Sequence, residues 1–557
     1  MTRPPSQPSF VPLESRPPLP VSRLIRDEPA GEDAAPLDVL FVGGGPAGLA
    51  GAIELARLVA RDAEAGGDLG PVEIGVLEKS ETLGEHCLSG AVINPAPFRE
   101  LFAGLSDEEL PFRGAVTGER VYLLTEGAKV RLPTPPPMRN HGNVVGSICE
   151  VVRWLGERAE EAGVNIFTGF PAESLLVEGS RVTGVRTVPA GLDRAGQPGE
   201  GHMPAMDLTA QITVLAEGSR GPLAQAWLER ENIGSENPQI FALGVKELWR
   251  LGKPLKDVIH TLGYPLPRDA FGGSFFYPMG EDLAAIGLVV GLDYRQQDLD
   301  VHGLLQAMKL HPLFKPYLGG GEMLEWGART IPEGGYYSLP NRMHGDGVLL
   351  VGDAAGLVDV PSLKGIHHAM YSGMYAARTI FRALKAGDTS AGSLAGYDAL
   401  VRDGATGREL FRRRNMRTVF KSGFYAGGLK ASLAILTGGR IPGKRIAVED
   451  DAAEARIPGG PAEVVPDGVL TFSKVDAVFR SGNKTRDDIP SHLVAPDQVS
   501  PELGRLYTHM CPAGVYEWSE GGLVVNAPNC IDCKATDVLG PRWTPREGGS
   551  GPSYKRM

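Results

Sequence analysis

The chain has 557 residues and a mass of 59.2 kDa, more than a single hydrophobic core holds, so two to four packed modules are expected. Its 74 glycines and 45 prolines beside 42% apolar residues exclude a plain helical bundle, and a net charge of −11 argues against a dedicated nucleic-acid binder. The five cysteines are too few for a disulfide scaffold, and three of them, Cys511, Cys530 and Cys533, crowd near one end, which points to metal chemistry.

Residues 1–36 are proline-rich and hold no apolar run, which predicts a disordered tail. No signal peptide is expected, and no stretch of about 20 apolar residues offers to cross a bilayer. The run LDVLFV at 37–42 reads as a buried strand that enters Gly43-Gly44-Gly45-Pro46-Ala47-Gly48 and then a helix. This is GxGxxG in the context that a dinucleotide needs. Gly43 permits the tight turn, Gly45 lets backbone approach a pyrophosphate, and Gly48 lets helix and strand pack closely. A second strand over 72–77 ends in Glu78, placed for a ribose hydroxyl, and residues 61–70 read as an inserted loop that lengthens the usual spacing.

Further along, Gly272-Gly273 precedes Phe275, Phe276 and Tyr277, so the backbone can approach a flat ligand lined by aromatics; the run 283–292 reads as a strand beside it. Residues 347–356 read as a buried strand ending in Gly352-Asp353 just before a helix, which places Asp353 to bond a polyol chain. No second GxGxxG follows a strand, so a separate NAD(P)H domain is disfavoured. Between Arg408 and Arg445 ten basic residues face the single acid Glu409 and enclose a short apolar, aromatic-containing segment. That pattern predicts a helix lying in the surface of an anionic membrane rather than a nucleic-acid contact. At the far end, Cys511-Pro512 and the pair Cys530 and Cys533, spaced CxxC, suit iron-sulfur ligation, with zinc as the rival.

The strand 213–218 and the Gly352-Asp353 turn resemble the middle strand and second FAD motif of a large flavoprotein family. More specifically, Gly84-Glu85-His86-Cys87-Leu88-Ser89-Gly90-Ala91, Asn140-His141-Gly142-Asn143, Gly272-Gly273-Ser274-Phe275, residues 287–294, Lys364-Gly365-Ile366-His367, residues 511–517 and residues 548–557 form an ordered series. This series resembles the electron-transfer flavoprotein–ubiquinone oxidoreductase family, also called electron-transferring-flavoprotein dehydrogenase.

The resemblance implies an α/β fold: a Rossmann-like FAD domain, an inserted β-rich quinone-binding domain and a C-terminal ferredoxin-like domain. The expected boundaries are 37–225 with 335–400 for FAD, 226–334 for quinone, 401–458 for the membrane surface and 459–557 for iron and sulfur. It implies FAD held by Gly43, Gly45, Gly48, Glu78, Gly352 and Asp353, a quinone head group at Gly272 and Gly273, and a [4Fe–4S] cluster on Cys511, Cys530 and Cys533. Electrons would pass from reduced electron-transfer flavoprotein to membrane ubiquinone or menaquinone through cofactors, with no catalytic acid or base. The protein is expected to attach monotopically at the cytoplasmic face of a bacterial inner membrane. Two departures stand out: Thr536 occupies the place of the family's last cysteine, and the usual Thr-His-Thr reads Ile366-His367-His368. The first leaves a [3Fe–4S] cluster or a non-cysteine fourth ligand open, with Asp532 and Asp537 as candidate oxygen donors. The rival readings are an FAD-dependent prenyl-chain reductase or hydroxylase using NADPH, and a non-catalytic relay subunit.

Overall fold

Strand Ala35–Val42 forms the middle of a parallel sheet, with Ile74–Glu78 and then Asn165–Thr168 on one side, and Asp207–Leu215 and Val348–Leu350 on the other. The computed structural model that gives this arrangement describes residues 9–280, 282–460 and 463–557. Val39, Leu40 and Phe41 are buried on both faces, as a parallel strand covered by helices requires. Helix Pro46–Glu64 crosses one face and packs against the long helix Ile366–Ala386. The expected Rossmann-like unit is therefore built from two stretches of chain.

A second sheet has seven strands, in the order Glu322–Pro332, Phe241–Arg250, Leu283–Gly291, Gly272–Pro278, Val258–Gly263, Glu119–Leu124 and Lys129–Leu132. The last two come from the stretch assigned above to the FAD domain, because Glu119–Leu124 pairs in parallel with Val258–Gly263 far along the chain. The boundary expected at 226 thus falls inside one hydrogen-bonded unit. The C-terminal part contributes helices Lys474–Arg480 and Pro501–Met510 and the hairpin Tyr516–Ser519 with Gly522–Val525. Its apolar residues, Leu506, Tyr507 and Val538 among them, join Leu243, Trp249 and Phe276 of the second sheet in one core. The iron-sulfur and quinone units consequently bury their apolar surface together.

Two expectations about charged and proline-rich segments change. Residues 1–8 of the expected tail lie outside the described residues, but the rest is packed. Pro12 opens a short 3-10 turn, Val21–Leu24 is one helical turn, and Ile25 pairs with Leu175 at the edge of the first sheet. Leu24 and Ile25 are buried, and Arg16 reaches the Asp450 carboxylate and the Val538 carbonyl. Proline tolerates helix starts, so its abundance did not prevent two apolar residues from finding the core. In the basic segment, Arg417 is buried with its guanidinium on Glu333 and Asp293 rather than on the surface.

Candidate functional site

Register sets the nucleotide end. Val42 lies opposite Leu77 and Leu215, so the C-terminal ends of three parallel strands meet and deliver Gly43, Glu78 and Ala216 to one edge. Ligands of such sheets bind in the crevice beyond those ends. Gly43 sits at φ 119°, and a Cβ there would lie 2.4 Å from the Ala216 carbonyl oxygen. At Gly48 an added Cβ would strike the Gly43 carbonyl oxygen at 2.1 Å, whereas at Gly45 it meets nothing within 4 Å. The first and third glycines thus serve packing, and the second leaves open room for a ligand. Glu78 accepts from the Gly44 amide at 3.0 Å and from the Ser80 amide and hydroxyl at 2.9 Å, which fixes its carboxylate beside the turn. Asp353 follows Val348–Leu350 and is half-buried against the cavity; desolvation, opposed by the Arg329 charge, raises its pKa to about 6.

Apart from Gly48, which is packed beneath the turn, the expected flavin residues line one continuous cavity of about 1350 Å³. It runs from Gly43, Gly45 and Glu78 past Gly352 and Asp353 to Gly272 and Gly273, and it reaches Gly428, Ala431 and Ile435 of helix Phe424–Leu436. Single small-molecule sites are commonly about 300–1,000 Å³, so this space suits two ligands end to end. Gly272 and Gly273 also have a packing reason: a Cβ would approach the Val289 carbonyl oxygen at 2.2 Å and the Thr261 carbonyl oxygen at 2.8 Å respectively. Beside them, His260 and Tyr277 touch at 3.3 Å, and burial lowers the His260 pKa to about 3, so the imidazole is neutral.

The mouth of the cavity is apolar. Helix Phe424–Leu436 has 13 residues, about 20 Å, too short for a bilayer core of about 30 Å. No helix among the described residues is long and apolar enough to cross a membrane. Leu429, Leu433 and Leu436 lie on one face and are 75%, 43% and 83% exposed. In the same basic segment Arg408, Arg412, Lys430, Arg440 and Lys444 are exposed and have no acidic partner among the described residues, while Arg413, Arg417, Lys421 and Arg445 do. The basic segment is thus divided between internal pairing and a free surface.

The cysteines converge at the other side of the cavity. Cys511 ends helix Pro501–Met510, Cys530 ends the turn Ala527–Asn529, and Cys533 precedes helix Ala535–Leu539. All three are buried and line one small cavity with Tyr516 and Thr536. Burial raises the Cys530 pKa to about 12, and the Cys533 thiol is pushed up by burial and by the two neighbouring cysteines. Three such thiols in a dry site are costly as thiolates unless a cationic cluster takes them. Backbone amides act against this burial effect: those of Ala513, Val515 and Tyr516 at Cys511, that of Asp532 at Cys530 and that of Ala535 at Cys533. This donor set fits an iron-sulfur cluster, whose sulfurs take such hydrogen bonds.

Lys534 and Trp543 line both the large cavity and the cysteine cavity, so one layer of side chains separates them. Neither Lys534, though it directly follows Cys533, nor Trp543 was singled out by the sequence. The group His367, His368 and Glu409 was legible only in part, through the departure at 366–368; both imidazoles are buried and the Glu409 carboxylate lies 3.5 and 3.7 Å from them. His367, which keeps the pattern's histidine, lines the large cavity beside the departure Ile366.

Fold and site together define a flavin-dependent oxidoreductase that carries FAD and an iron-sulfur cluster. A geranylgeranyl bacteriochlorophyll reductase-like protein from Thermoplasma acidophilum shares the fold, with a TM-score of 0.56 and 20% identity over 73% of this chain and 96% of that one. The model described as "ETF-QO, ubiquinone-binding" matches residues 241–331, and that described as "Electron transfer flavoprotein-ubiquinone oxidoreductase, 4Fe-4S" matches residues 468–555. The mitochondrial electron transfer flavoprotein-ubiquinone oxidoreductase of Oryza sativa subsp. japonica is 37% identical over 95% of this chain and 94% of its own length. That of Homo sapiens is 34% identical, over 93% and 89%. The chain belongs to the electron transfer flavoprotein-ubiquinone oxidoreductase family. These relatives are named as mitochondrial proteins, which overturns the expectation of the cytoplasmic face of a bacterial inner membrane.

Proposed function

We propose that this enzyme takes electrons from reduced electron-transfer flavoprotein and delivers them to a quinone drawn from a membrane on which it rests monotopically. The observation that carries this reading is the continuous cavity, which starts at the dinucleotide edge and ends against helix Phe424–Leu436, where Leu436 lines it and Leu429 and Leu433 lie exposed on the adjoining face. A long-tailed apolar substrate enters there without crossing water. Each unpaired cation of the basic segment adds about 1 kcal/mol of attraction to an anionic surface.

When bound, FAD and the cluster supply two-electron storage and one-electron relay. The chain's own residues do the rest. Gly43, Gly45 and Gly48 bring helix-end amides to the pyrophosphate, Glu78 orders the turn next to the ribose, and Asp353 behind Gly352 bonds the polyol chain. Gly272 and Gly273 present backbone to the quinone head group, ubiquinone or menaquinone, within aromatic walls. Cys511, Cys530 and Cys533 hold the cluster, and Lys534 with Trp543 exclude water from the layer between it and the flavin site.

Two measurements test the reading. Vesicles containing anionic lipid should float with the wild-type protein, and with Leu429→Ser/Leu433→Ser/Leu436→Ser should leave it behind. The triple variant should still reduce a short, water-soluble quinone. Wild-type protein that stays soluble in the presence of such vesicles counts against membrane attachment. Rapid bleaching of the flavin by NADPH, with none by reduced electron-transfer flavoprotein, would instead support a prenyl-chain reductase or hydroxylase.

A further inference from the structure

Three cysteines, Cys511, Cys530 and Cys533, line the small cavity together with two hydroxyl-bearing residues, Thr536 and Tyr516, and with Lys534 and Trp543. Both residues are buried, and the two hydroxyls stand side by side, the Tyr516 phenol having no partner but Thr536. A phenol and a hydroxyl that share one contact keep capacity for a further hydrogen bond with whatever occupies the space they face.

The carboxylates expected as iron donors are committed elsewhere. Asp532 accepts from Trp543 Nε1 at 3.0 Å, is paired with Arg546 at 2.8 Å, and holds the Lys79 ammonium. Asp537 accepts from Arg220 Nε at 2.6 Å and from the Trp543 amide at 3.1 Å. Neither lines the cysteine cavity. Withdrawing either would strand buried guanidinium groups, which is more costly than leaving an iron to bind solvent oxygen. His492 is the remaining competitor. It lies within 4.8 Å of the Cys530 sulfur and its ring nitrogens have no partner, yet it too stands outside the cavity wall.

We propose that the fourth iron of the cluster faces Thr536 and Tyr516 and carries an exchangeable oxygen ligand, water or hydroxide, held between their hydroxyls. The corner is then a binding site for small anions that a fully thiolate-ligated cluster excludes. Binding there would be simple exchange: water would leave the position that Thr536 and Tyr516 hold, and an anion such as cyanide would donate its lone pair to iron in its place, with no change in oxidation state. The inference rests on the assignment of the three cysteines as cluster ligands.

The test uses anaerobically purified, full-length holoenzyme. Iron and acid-labile sulfide should be present in four-iron proportion, and electron paramagnetic resonance of the reduced cluster should shift on adding cyanide. Thr536→Cys should abolish that shift. Should this variant fail to fold, the isosteric Thr536→Val serves: it should alter the exchangeable-proton couplings of the cluster, seen by comparing protein in normal and heavy water. Tyr516→Phe should alter the same couplings. A three-iron signal that added ferrous iron does not convert overturns the proposal, as do a missing cyanide response or unaltered couplings. A strongly coupled ring nitrogen that disappears in His492→Gln overturns it in favour of histidine. Absence of iron and sulfide altogether, or iron content unchanged in Cys533→Ser, overturns the cysteine assignment itself.

Discussion

Arg417 donates through Nε to the Glu333 carboxylate at 2.7 Å, tying the basic segment to the last strand of the quinone sheet. A second nitrogen of the same guanidinium reaches Asp293 at 3.0 Å, and the cation lies over the Phe271 ring. The arrangement is buried, so its parts are not exchangeable with solvent.

Arg417→Ala should therefore destabilise the protein by about 3–5 kcal/mol in chemical denaturation, since it strips the buried Glu333 of its partner and leaves Asp293 with Lys421 alone. The pH dependence has a definite sign. Burial alone would raise the Asp293 pKa, but Arg417 and Lys421 outweigh it and hold the pKa at about 2. Its contribution to stability is complete above the unfolded carboxyl value near 3.9 and is lost as pH falls from there through about 2. In Arg417→Ala that acid-side loss should shrink.

The three glycines of the dinucleotide turn should respond differently to the same methyl group. Gly45→Ala adds a Cβ that touches nothing, so the melting temperature should hold while bound flavin falls by about tenfold in affinity or more, about 1.4 kcal/mol. Gly48→Ala drives its Cβ onto the Gly43 carbonyl, so soluble folded protein should itself be lost. Flavin absorbance per protein and a thermal melt separate the two outcomes.

Asp353 supplies a test in flavin-free protein. With a folded pKa of about 6, the native chain binds more protons than the unfolded chain between about pH 4 and 6. Stability of the flavin-free form should thus fall as pH rises through that window and level off above it. Asp353→Asn should flatten the profile and raise stability at pH 7 by roughly 2–3 kcal/mol, while weakening flavin retention. A variant with unchanged pH dependence would remove Asp353 from this role.

The proline-rich segment yields a stability prediction as well. Leu24 is fully buried, so Leu24→Ala should cost about 2–5 kcal/mol, measurable as a lowered denaturation midpoint. A mobile tail would show no change.

Features that rest on neighbouring residues were legible in the sequence. The strand, the glycine turn and the helix that follow one another over 37–60 announce themselves by local periodicity and spacing, as do Gly352-Asp353 and the cysteine pair. Features that rest on distant partners were not. Nothing in the run at 119–132 says that it pairs with Val258–Gly263, and nothing in Arg417 says that Glu333 awaits it. Composition likewise concealed Leu24 and Ile25 among prolines. The cavity was predicted in pieces, as glycines, an aspartate and an apolar helix, but its continuity depends on how two sheets are set against each other.

The parallel pairing of Glu119–Leu124 with Val258–Gly263 also orders events in time. A nascent chain displays the earlier strand with one edge unpaired until the later one has been synthesised, well over a hundred residues afterwards. Such a waiting edge invites pairing with another chain, and closing so long a loop is slow. Newly made protein should therefore depend on chaperone protection up to the moment the quinone sheet closes, and truncations between the two strands should aggregate rather than fold as a smaller unit.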